Sequence, residues 1–429
     1  MIFVVLSIVV MAVGLINLRK GFLLYLVLQM VWFPDTQLFS VGGSSVNLNL
    51  ICSVYFILLY IGRMKKYSVI NKTKFPYKRP MMLIAISMFL TTFTSLAGFF
   101  SEFVKAFGLI AMDLVIIFII WKIIDRKEDF VFLYKTITYI IFFACIYIFY
   151  EKITNINIIL DYKLTCTSNV LGTYSDYQQW DVRGYRWYSI FEHPICACMI
   201  FALYITLVLN LFMKKKKIPI IYLSILTALL CVPAMFFTQQ RSGIFFLCVA
   251  FLSVVDFSKK SFWKLLLVLI VLVISVYPLI SENIQLLFSI FSSKYTDNVS
   301  GSNVSMRFEQ LYAVYNIMLK SPVTGLGENF IQYYTGTYAS QALGFESLWF
   351  EQMAKHGLIG VISYIFMIYY SVYKIPKDYK SKSARYIALA YWLTYSLTST
   401  PYFRTYFLYI VLFYFLKEKK MEDMEKKIV

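Results

Sequence analysis

The sequence predicts an all-α fold, a polytopic integral membrane bundle of about 12–13 spanning helices. Hydrophobic residues make up 60% of the 429 residues and charged residues only 15%, with a mean hydropathy of +0.68. Soluble domains contain roughly 45–50% apolar residues. Apolar runs of about 17 to 25 residues recur along the whole chain, and each is long enough to cross roughly 30 Å of hydrocarbon as a helix. Basic clusters separate these runs in a regular order.

Thirteen apolar runs are the predicted spans. The first has no basic segment before it and no small-residue cleavage site after it, so we expect it to be a retained span and not a signal peptide. The second contains Pro34 and Asp35 and the ninth is short, so each of these two either crosses the membrane or re-enters it. In chain order the runs are 1–18, 21–38, 47–62, 80–99, 103–121, 131–150, 190–212, 218–237, 243–256, 263–281, 348–373, 384–398 and 403–417.

The net charge of +18 follows the predicted topology. Seven clusters hold 29 of the 41 Lys and Arg residues, and consecutive clusters are separated by two apolar runs. Basic residues in short loops mark the cytoplasmic side, so we expect these loops and the C-terminus to be cytoplasmic and expect no nucleic-acid partner. The clusters are 19–20, 63–79, 122–127, 214–217, 259–264, 374–385 and 417–427.

Residues 1–429 form a single predicted membrane domain with two large external loops, 151–189 and 282–347. Both exceed ordinary connection lengths, and the second is expected to carry part of the active site. Within it, residues 304–320 have helical spacing, with Leu311, Val314 or Tyr315, and Met318 on one side. We expect this helix to lie on the outer membrane surface. The seven cysteines are predicted to be small buried hydrophobic residues, without a disulfide framework or a metal site.

Five of the basic residues left on the external side are arginines. A guanidinium at the hydrocarbon boundary is costly unless it reaches the interface, pairs with a carboxylate or binds an anion. Its planar fork suits bidentate contacts with phosphate, so a lipid pyrophosphate is one candidate ligand. Contacts with lipid head groups or with a structural carboxylate are the alternative for any single arginine. The external arginines are Arg183, Arg186, Arg241, Arg307 and Arg404.

A carboxylate precedes the eleventh predicted span, in ESLWFEQMAKHGLIG at 346–360. Glu346, Phe350, Met353, Gly357 and Gly360 are spaced to share one helical face, and the two glycines permit close approach of a neighbouring helix. Glu346 either caps the helix and complements its dipole or acts as a general base whose pKa is set by burial and nearby arginines.

Other chemistries lack their residues in this sequence. The two histidines are far apart, so no zinc cluster is expected. The phosphate-binding Gly-x-x-x-x-Gly-Lys-Ser/Thr loop and an Asp-x-Asp pair are also missing from the sequence. We therefore expect no cofactor, no metal and no use of ATP.

Four stretches in this order resemble the O-antigen ligase and O-antigen polymerase superfamily, membrane enzymes that act on undecaprenyl-pyrophosphate-linked glycans. Ligases of this superfamily carry His-(Asn/Ser/Gln)-x9-Gly-x-x-Gly. Here Ser347, Gly357 and Gly360 keep that spacing, and Glu346 stands where the histidine would be. The stretches are RGYRWYSIFEHP at 183–194, FTQQRSGIFF at 237–246, RFEQLYAVYNIMLKSPVTGLGENF at 307–330 and ESLWFEQMAKHGLIG at 346–360.

The resemblance implies a helical fold of the GT-C-like ligase and polymerase type, in a bacterial cytoplasmic membrane, with an extracytoplasmic active site. It implies a metal-independent glycosyltransferase that polymerises lipid-linked repeat units for capsular polysaccharide, exopolysaccharide or O-antigen. Arg241 and Arg307 would hold the donor pyrophosphate and Glu346 would activate the acceptor hydroxyl. Arg183, Arg186 and Arg404 would line the cavity or the acceptor path.

The implied partners are membrane lipid, the lipid-linked oligosaccharide, and the chain-length regulator and flippase of the same pathway. Two alternatives remain open from the sequence. One is a ligase that transfers a finished glycan to another acceptor. The other is a polysaccharide-lipid flippase or transporter, although no inverted repeat of the kind found in transporters is visible.

Overall fold

The computed structural model describes residues 2–31, 37–41, 44–64, 74–159, 162, 186–191, 193–214, 216, 219–255, 304–330, 345, 347–398 and 405–426. Helices dominate these residues, which confirms the all-α fold class. An antiparallel hairpin of β1 (Gln37–Val41) and β2 (Ser44–Asn47) is an exception that we did not predict. Its sequence signal is Gly42–Gly43 between short β-prone segments, a composition typical of tight hairpin connections.

Thirteen helices occupy the described parts of the chain, and the long ones contain local irregularities. The helix α5 includes a π-helical turn at Ile110–Val115, and α11 includes another at Tyr370–Lys374. The helices are α1 (Ile2–Ile16), α2 (Leu18–Val31), α3 (Leu48–Gly62), α4 (Lys78–Thr91), α5 (Phe99–Ile123), α6 (Lys127–Thr154), α7 (Pro194–Met213), α8 (Ile221–Phe237), α9 (Arg241–Phe251), α10 (Val304–Lys320), α11 (Leu348–Asp378), α12 (Lys382–Leu397) and α13 (Thr405–Lys426).

Twelve of the thirteen predicted spans coincide with these helices, and the remaining one, 263–281, lies outside the described residues. Among the described residues, α5, α6, α7 and α11 are long and apolar enough to cross a membrane by length and composition. The helices α1, α3, α8 and α9 are apolar but shorter. At 1.5 Å per residue, α9 is only about 16 Å long, as the short ninth run suggested.

Contacts between separate basic clusters place four of the seven at one end of the helices, which we call the basic end. Arg19 pairs with Asp125 at 2.8 Å. Lys417 donates to the Trp121 carbonyl at 2.6 Å. Lys214 pairs with Glu418 at 2.8 Å. The loops that follow α1, α5 and α7 therefore meet beside the C-terminal part of α13, as the charge pattern predicted.

The opposite end of the helices is formed by the segments 92–98, 186–191, 238–241, 321–330 and 396–398, together with His193, and we call it the arginine end. Segments distant in sequence contact one another there. The Leu96 amide donates to the Leu326 carbonyl at 3.2 Å, and the Asn157 side chain donates to the Ser189 carbonyl at 2.9 Å. The candidate site lies at this end.

The predicted helix at 304–320 is confirmed as α10, and Val314 and Met318 of the predicted side pack against the start of α11. Ala313, Val314 and Ile317 are buried in a small core with the start of α11. Leu311 and Tyr315, two of the residues predicted for one side, are 44% and 59% exposed. The helix therefore has a second apolar face, which suits a boundary between hydrocarbon and water.

Candidate functional site

Three of the six predicted site residues lie within the described part of the chain. Arg241 is the first residue of α9, Arg307 lies in the first turn of α10, and Arg186 precedes α7 in the described end of the first large loop. All three are partly exposed. Glu346, Arg183 and Arg404 lie outside the described residues.

Arg307 and the residue after Glu346 meet at the C-terminal end of α12. The Arg307 guanidinium donates through Nη2 to the Leu397 carbonyl at 3.0 Å. Ser347 donates through Oγ to the neighbouring Ser396 carbonyl, also at 3.0 Å. The last carbonyls of a helix lack partners within that helix, so two side chains from separate motifs satisfy them. The fourth motif thus begins beside the third.

Arg241 lies at the same end because α9 and α12 run in opposite directions. The two helices pack against each other, and the Lys382 ammonium at the start of α12 donates to the Val255 carbonyl just after α9, at 2.6 Å. The start of α9, with Arg241, therefore lies toward Leu397. Arg241, Arg307 and Ser347 thus converge from three elements.

The segment that carries Arg186 joins this end through its neighbour Trp187. The Trp187 amide donates to the Phe237 carbonyl at 3.5 Å, and the two rings are 6.2 Å apart. Phe237 ends α8, four residues before Arg241. The first and second of the four motifs therefore lie side by side.

A buried carboxylate fixes this segment. Glu151, near the end of α6, is fully buried and accepts from the Ser189 amide at 2.7 Å and the Tyr188 amide at 3.1 Å. It also accepts from the Asn157 side chain at 2.8 Å. Hydrogen bonds to a charged group are stronger than neutral ones, so Glu151 anchors the end of the first large loop. Sequence analysis did not single it out.

The eleventh helix is broken at Gly357, which corrects the predicted continuous face through Gly357 and Gly360. Gly357 has φ 59° and ψ −154°, which is not helical. The loop 322–327 enters the break. Its Leu326 and Gly327 amides donate to the Ala354 and Lys355 carbonyls, and the Leu358 and Ile359 amides donate to the Pro322 and Val323 carbonyls, at 3.0 to 3.2 Å.

The close neighbour of Gly357 is thus this loop and not another helix. A Cβ at Gly357 would lie 2.6 Å from the Val323 carbonyl and 2.7 Å from the Gly325 nitrogen. The loop supplies partners for the backbone groups that the break leaves open, as broken helices at membrane depth require. The break divides α11 into two halves, and the first half is Leu348–His356. The loop holds one end of this half-helix, and the Ser347 cap holds the other.

A buried charged cluster lies beneath the same loop. Glu328 contacts the Lys355 ammonium at 2.7 Å and His356 Nε2 at 2.9 Å. Lys355 also pairs with Glu351, one turn earlier. The Glu328 and His356 side chains are only 8% and 1% exposed. Burial by itself would raise the pKa of Glu328, but Lys355 and His356 outweigh burial and hold that pKa well below its usual range.

A second buried carboxylate supports the loop from α5. Glu102 accepts from the Glu328 amide, from the Asn329 amide and, at 3.0 Å, from the Ser95 hydroxyl. The sequence contains these residues, but the pairing joins positions that are over 200 residues apart. The sequence signal for the charged cluster is the position of its residues beside glycines. Glu328 directly follows Gly325-x-Gly327, and Lys355 and His356 directly precede Gly357.

Four of the six described cysteines are buried, as predicted, whereas Cys196 is partly buried and Cys248 is exposed. Cys52, Cys145, Cys196, Cys198, Cys231 and Cys248 are free thiols. Cys166 lies outside the described residues. Cys198 packs so closely against Gly243 that an added Cβ there would lie 2.3 Å from its sulfur. The start of α9, and with it Arg241, is therefore seated against α7.

Comparison with known protein families matches residues 225–365 to the O-antigen ligase family. No curated protein matches the chain. The matched region covers roughly a third of the chain and contains Arg241, Arg307, the broken helix α11 and the charged cluster. Arg183, Arg186 and Arg404 lie outside it. This region, which holds three of the four motifs and both glycine segments, is thus similar to the O-antigen ligase family, and it lies in an all-α chain with helices long and apolar enough to cross a membrane.

Proposed function

We propose that the protein polymerises lipid-linked oligosaccharide repeat units. The acceptor hydroxyl oxygen of one lipid-linked repeat attacks the anomeric carbon of the growing glycan. The bond from that carbon to the pyrophosphate oxygen breaks, and undecaprenyl pyrophosphate leaves with the bonding electrons. The broken sugar-phosphate bond supplies the driving force, so the proposed reaction consumes no ATP.

The observation that supports this proposal is the convergence of arginines from separate motifs at one end of the helices. Arg307 and Ser347 contact adjacent carbonyls of α12, and antiparallel packing brings the start of α9 to the same end. In the proposed mechanism Arg241 and Arg307 bind the pyrophosphate and stabilise the negative charge that grows on it as the bond breaks.

Glu346 is the proposed general base. Its neighbours are well held: Phe345 is 6% exposed and stacks on Phe330 at 6.2 Å, and Ser347 bonds the end of α12. Ser347 also fills the N-cap position of α11 by accepting from the Trp349 amide at 3.3 Å. The helix already has an N-cap in Ser347, so Glu346 is not required as a cap, and this favours the role of general base.

The remaining three arginines are proposed to line the cavity or the acceptor path. Arg186 is supported by the position of its neighbour Trp187 against Phe237. Arg183 and Arg404 are proposed from the sequence alone.

The arginine end is proposed to face outward from a bacterial cytoplasmic membrane, since the opposite end holds the basic clusters and positive charge marks the cytoplasmic side. The two large loops, 151–189 and 282–347, then lie outside, and the second contributes Arg307. A flippase that delivers repeats and a chain-length regulator are the proposed protein partners.

A glycan ligase with another acceptor is the second candidate, because Ser347, Gly357 and Gly360 keep the ligase spacing. We favour the polymerase because a glutamate replaces the ligase histidine. The purified full chain, given lipid-linked repeat units alone, should produce a ladder of longer lipid-linked glycans. The ladder should vanish in Glu346→Gln and Arg241→Ala. A folded protein that makes no ladder from its matched substrate contradicts the proposal, and translocation without any change in chain length would identify a transporter.

A further inference from the structure

The buried charged cluster has no assigned part in the transfer reaction, yet it joins the two sides of the helix break. Glu328 belongs to the inserted loop, whereas Lys355 and His356 end the first half of α11. The cluster therefore connects the loop to the half-helix Leu348–His356 through side chains, in addition to the backbone hydrogen bonds.

Hydrogen bonds at both ring nitrogens hold His356 in place. Its Nε2 lies 2.9 Å from Glu328 Oε1. An ionised carboxylate only accepts hydrogen bonds, so Nε2 is the donor to Glu328. Its Nδ1 lies 3.0 Å from the Thr91 hydroxyl oxygen on α4.

Glu328 is the carboxylate that both side chains of the half-helix share. It contacts the Lys355 ammonium and His356 Nε2, and Lys355 also pairs with Glu351. A buried ion pair that loses one partner leaves an uncompensated charge, which is far more costly than the pair itself. Removal of the Glu328 charge therefore weakens the junction of loop and half-helix.

We propose that Glu328 is a positioning residue for glycosyl transfer, which contacts His356 and Lys355 and thereby locks the loop 322–327 into the break of α11. The inference rests on the proposed function. The locked half-helix begins at Ser347, beside Arg307 at the end of α12. A loosened lock lets this half-helix move relative to the arginines, and a displacement of about 1 Å can cost on the order of 100-fold in rate.

The first test measures His356 directly. The chain has only two histidines, so ¹⁵N-histidine labelling of the full protein in lipid nanodiscs gives two imidazole signals, assigned with His193→Gln. His193 serves as an internal control, since its Nδ1 accepts from the Ile195 amide at 3.2 Å and is unprotonated. His356 should carry hydrogen on Nε2, where it donates to Glu328. A His356 ring without hydrogen on Nε2 would overturn the proposal.

The second test measures turnover. Glu328→Gln should lower kcat at least tenfold and change KM less than twofold, and Glu328→Asp should recover part of the lost kcat. The double variant Glu328→Gln/His356→Gln should have a kcat no lower than that of the less active single variant. Glu128→Gln, an exposed carboxylate at the start of α6, is the matched control.

The outcomes separate this inference from the proposed function. An active wild type with an unchanged kcat in Glu328→Gln overturns the positioning role and leaves polymerisation standing. An inactive wild type whose His356 carries hydrogen on Nε2 overturns polymerisation, and with it the positioning role, while the buried cluster remains as a purely structural feature.

Discussion

Substitution of Gly357 by alanine tests the broken helix, because an intact helix and a broken one predict opposite signs. Alanine in a regular helix would stabilise the protein by about 1 kcal/mol relative to glycine. At φ 59° and ψ −154°, a side chain instead costs about 1–3 kcal/mol in backbone strain. The new Cβ also collides with the Val323 carbonyl at 2.6 Å, so the loop must withdraw.

Withdrawal of the loop breaks the four backbone hydrogen bonds across the break, worth about 4 kcal/mol at roughly 1 kcal/mol each. The summed loss of about 5–7 kcal/mol is comparable to the whole stability of many domains. Gly357→Ala should therefore lower the thermal midpoint in detergent sharply and speed hydrogen exchange at the Leu326, Gly327, Leu358 and Ile359 amides. Gly62→Ala is the control, since its added Cβ meets no atom within 4 Å. An unchanged or raised midpoint for Gly357→Ala would refute the break.

Substitutions at four positions give further predictions. Arg307→Ala should lower kcat by about 100–1,000-fold, as loss of a transition-state donor does, and Arg307→Lys should restore little activity because a point charge replaces the planar guanidinium. Normal glycan ladders from both variants would rule out a pyrophosphate-binding role for Arg307. Glu151→Gln should destabilise the protein by about 2–4 kcal/mol through its hydrogen bonds to buried amides, seen as a lower midpoint. Gly243→Ala should displace α9, because the added Cβ would lie 2.3 Å from the Cys198 sulfur. Kinetics on the folded fraction should then show a reduced activity. The difference in unfolding free energy between the wild type and Glu328→Gln should stay constant from neutral pH to about 5 and shrink below about 4. The reason is that the pKa of Glu328 is lowered in the folded state, whereas an ordinary glutamate titrates near about 4.3. A difference that already disappears at higher pH would contradict the ion pair.

Much of the architecture could be predicted because it depends on local patterns. Apolar length and basic clusters marked the helices and the end at which basic loops meet, and Pro322 marked the end of α10. The hairpin at Gln37–Asn47 was missed because its two strands are short and lie beside a long apolar run. The spacing of α10 did not show which of its residues are buried, because both of its sides are apolar.

The site was predictable as a set of residues but not as an arrangement. Arginines stood out because they occur where the charge pattern disfavours them. The break at Gly357 could not be read from the sequence, since a glycine in an apolar helix equally suits close helix packing. The Glu328–His356 pair is a long-range contact made possible by that break, and both residues looked ordinary in isolation.

Counting the leaving group tests the central claim most directly. Each glycosidic bond formed by the proposed reaction releases one undecaprenyl pyrophosphate. The full protein in nanodiscs, supplied only with lipid-linked repeat units, should release undecaprenyl pyrophosphate and form glycosidic bonds in a ratio of about one to one, and both should be lost together in Arg307→Ala and Glu346→Gln. Chain growth without release of the lipid pyrophosphate, or no growth from a folded protein with its matched substrate, would contradict the account.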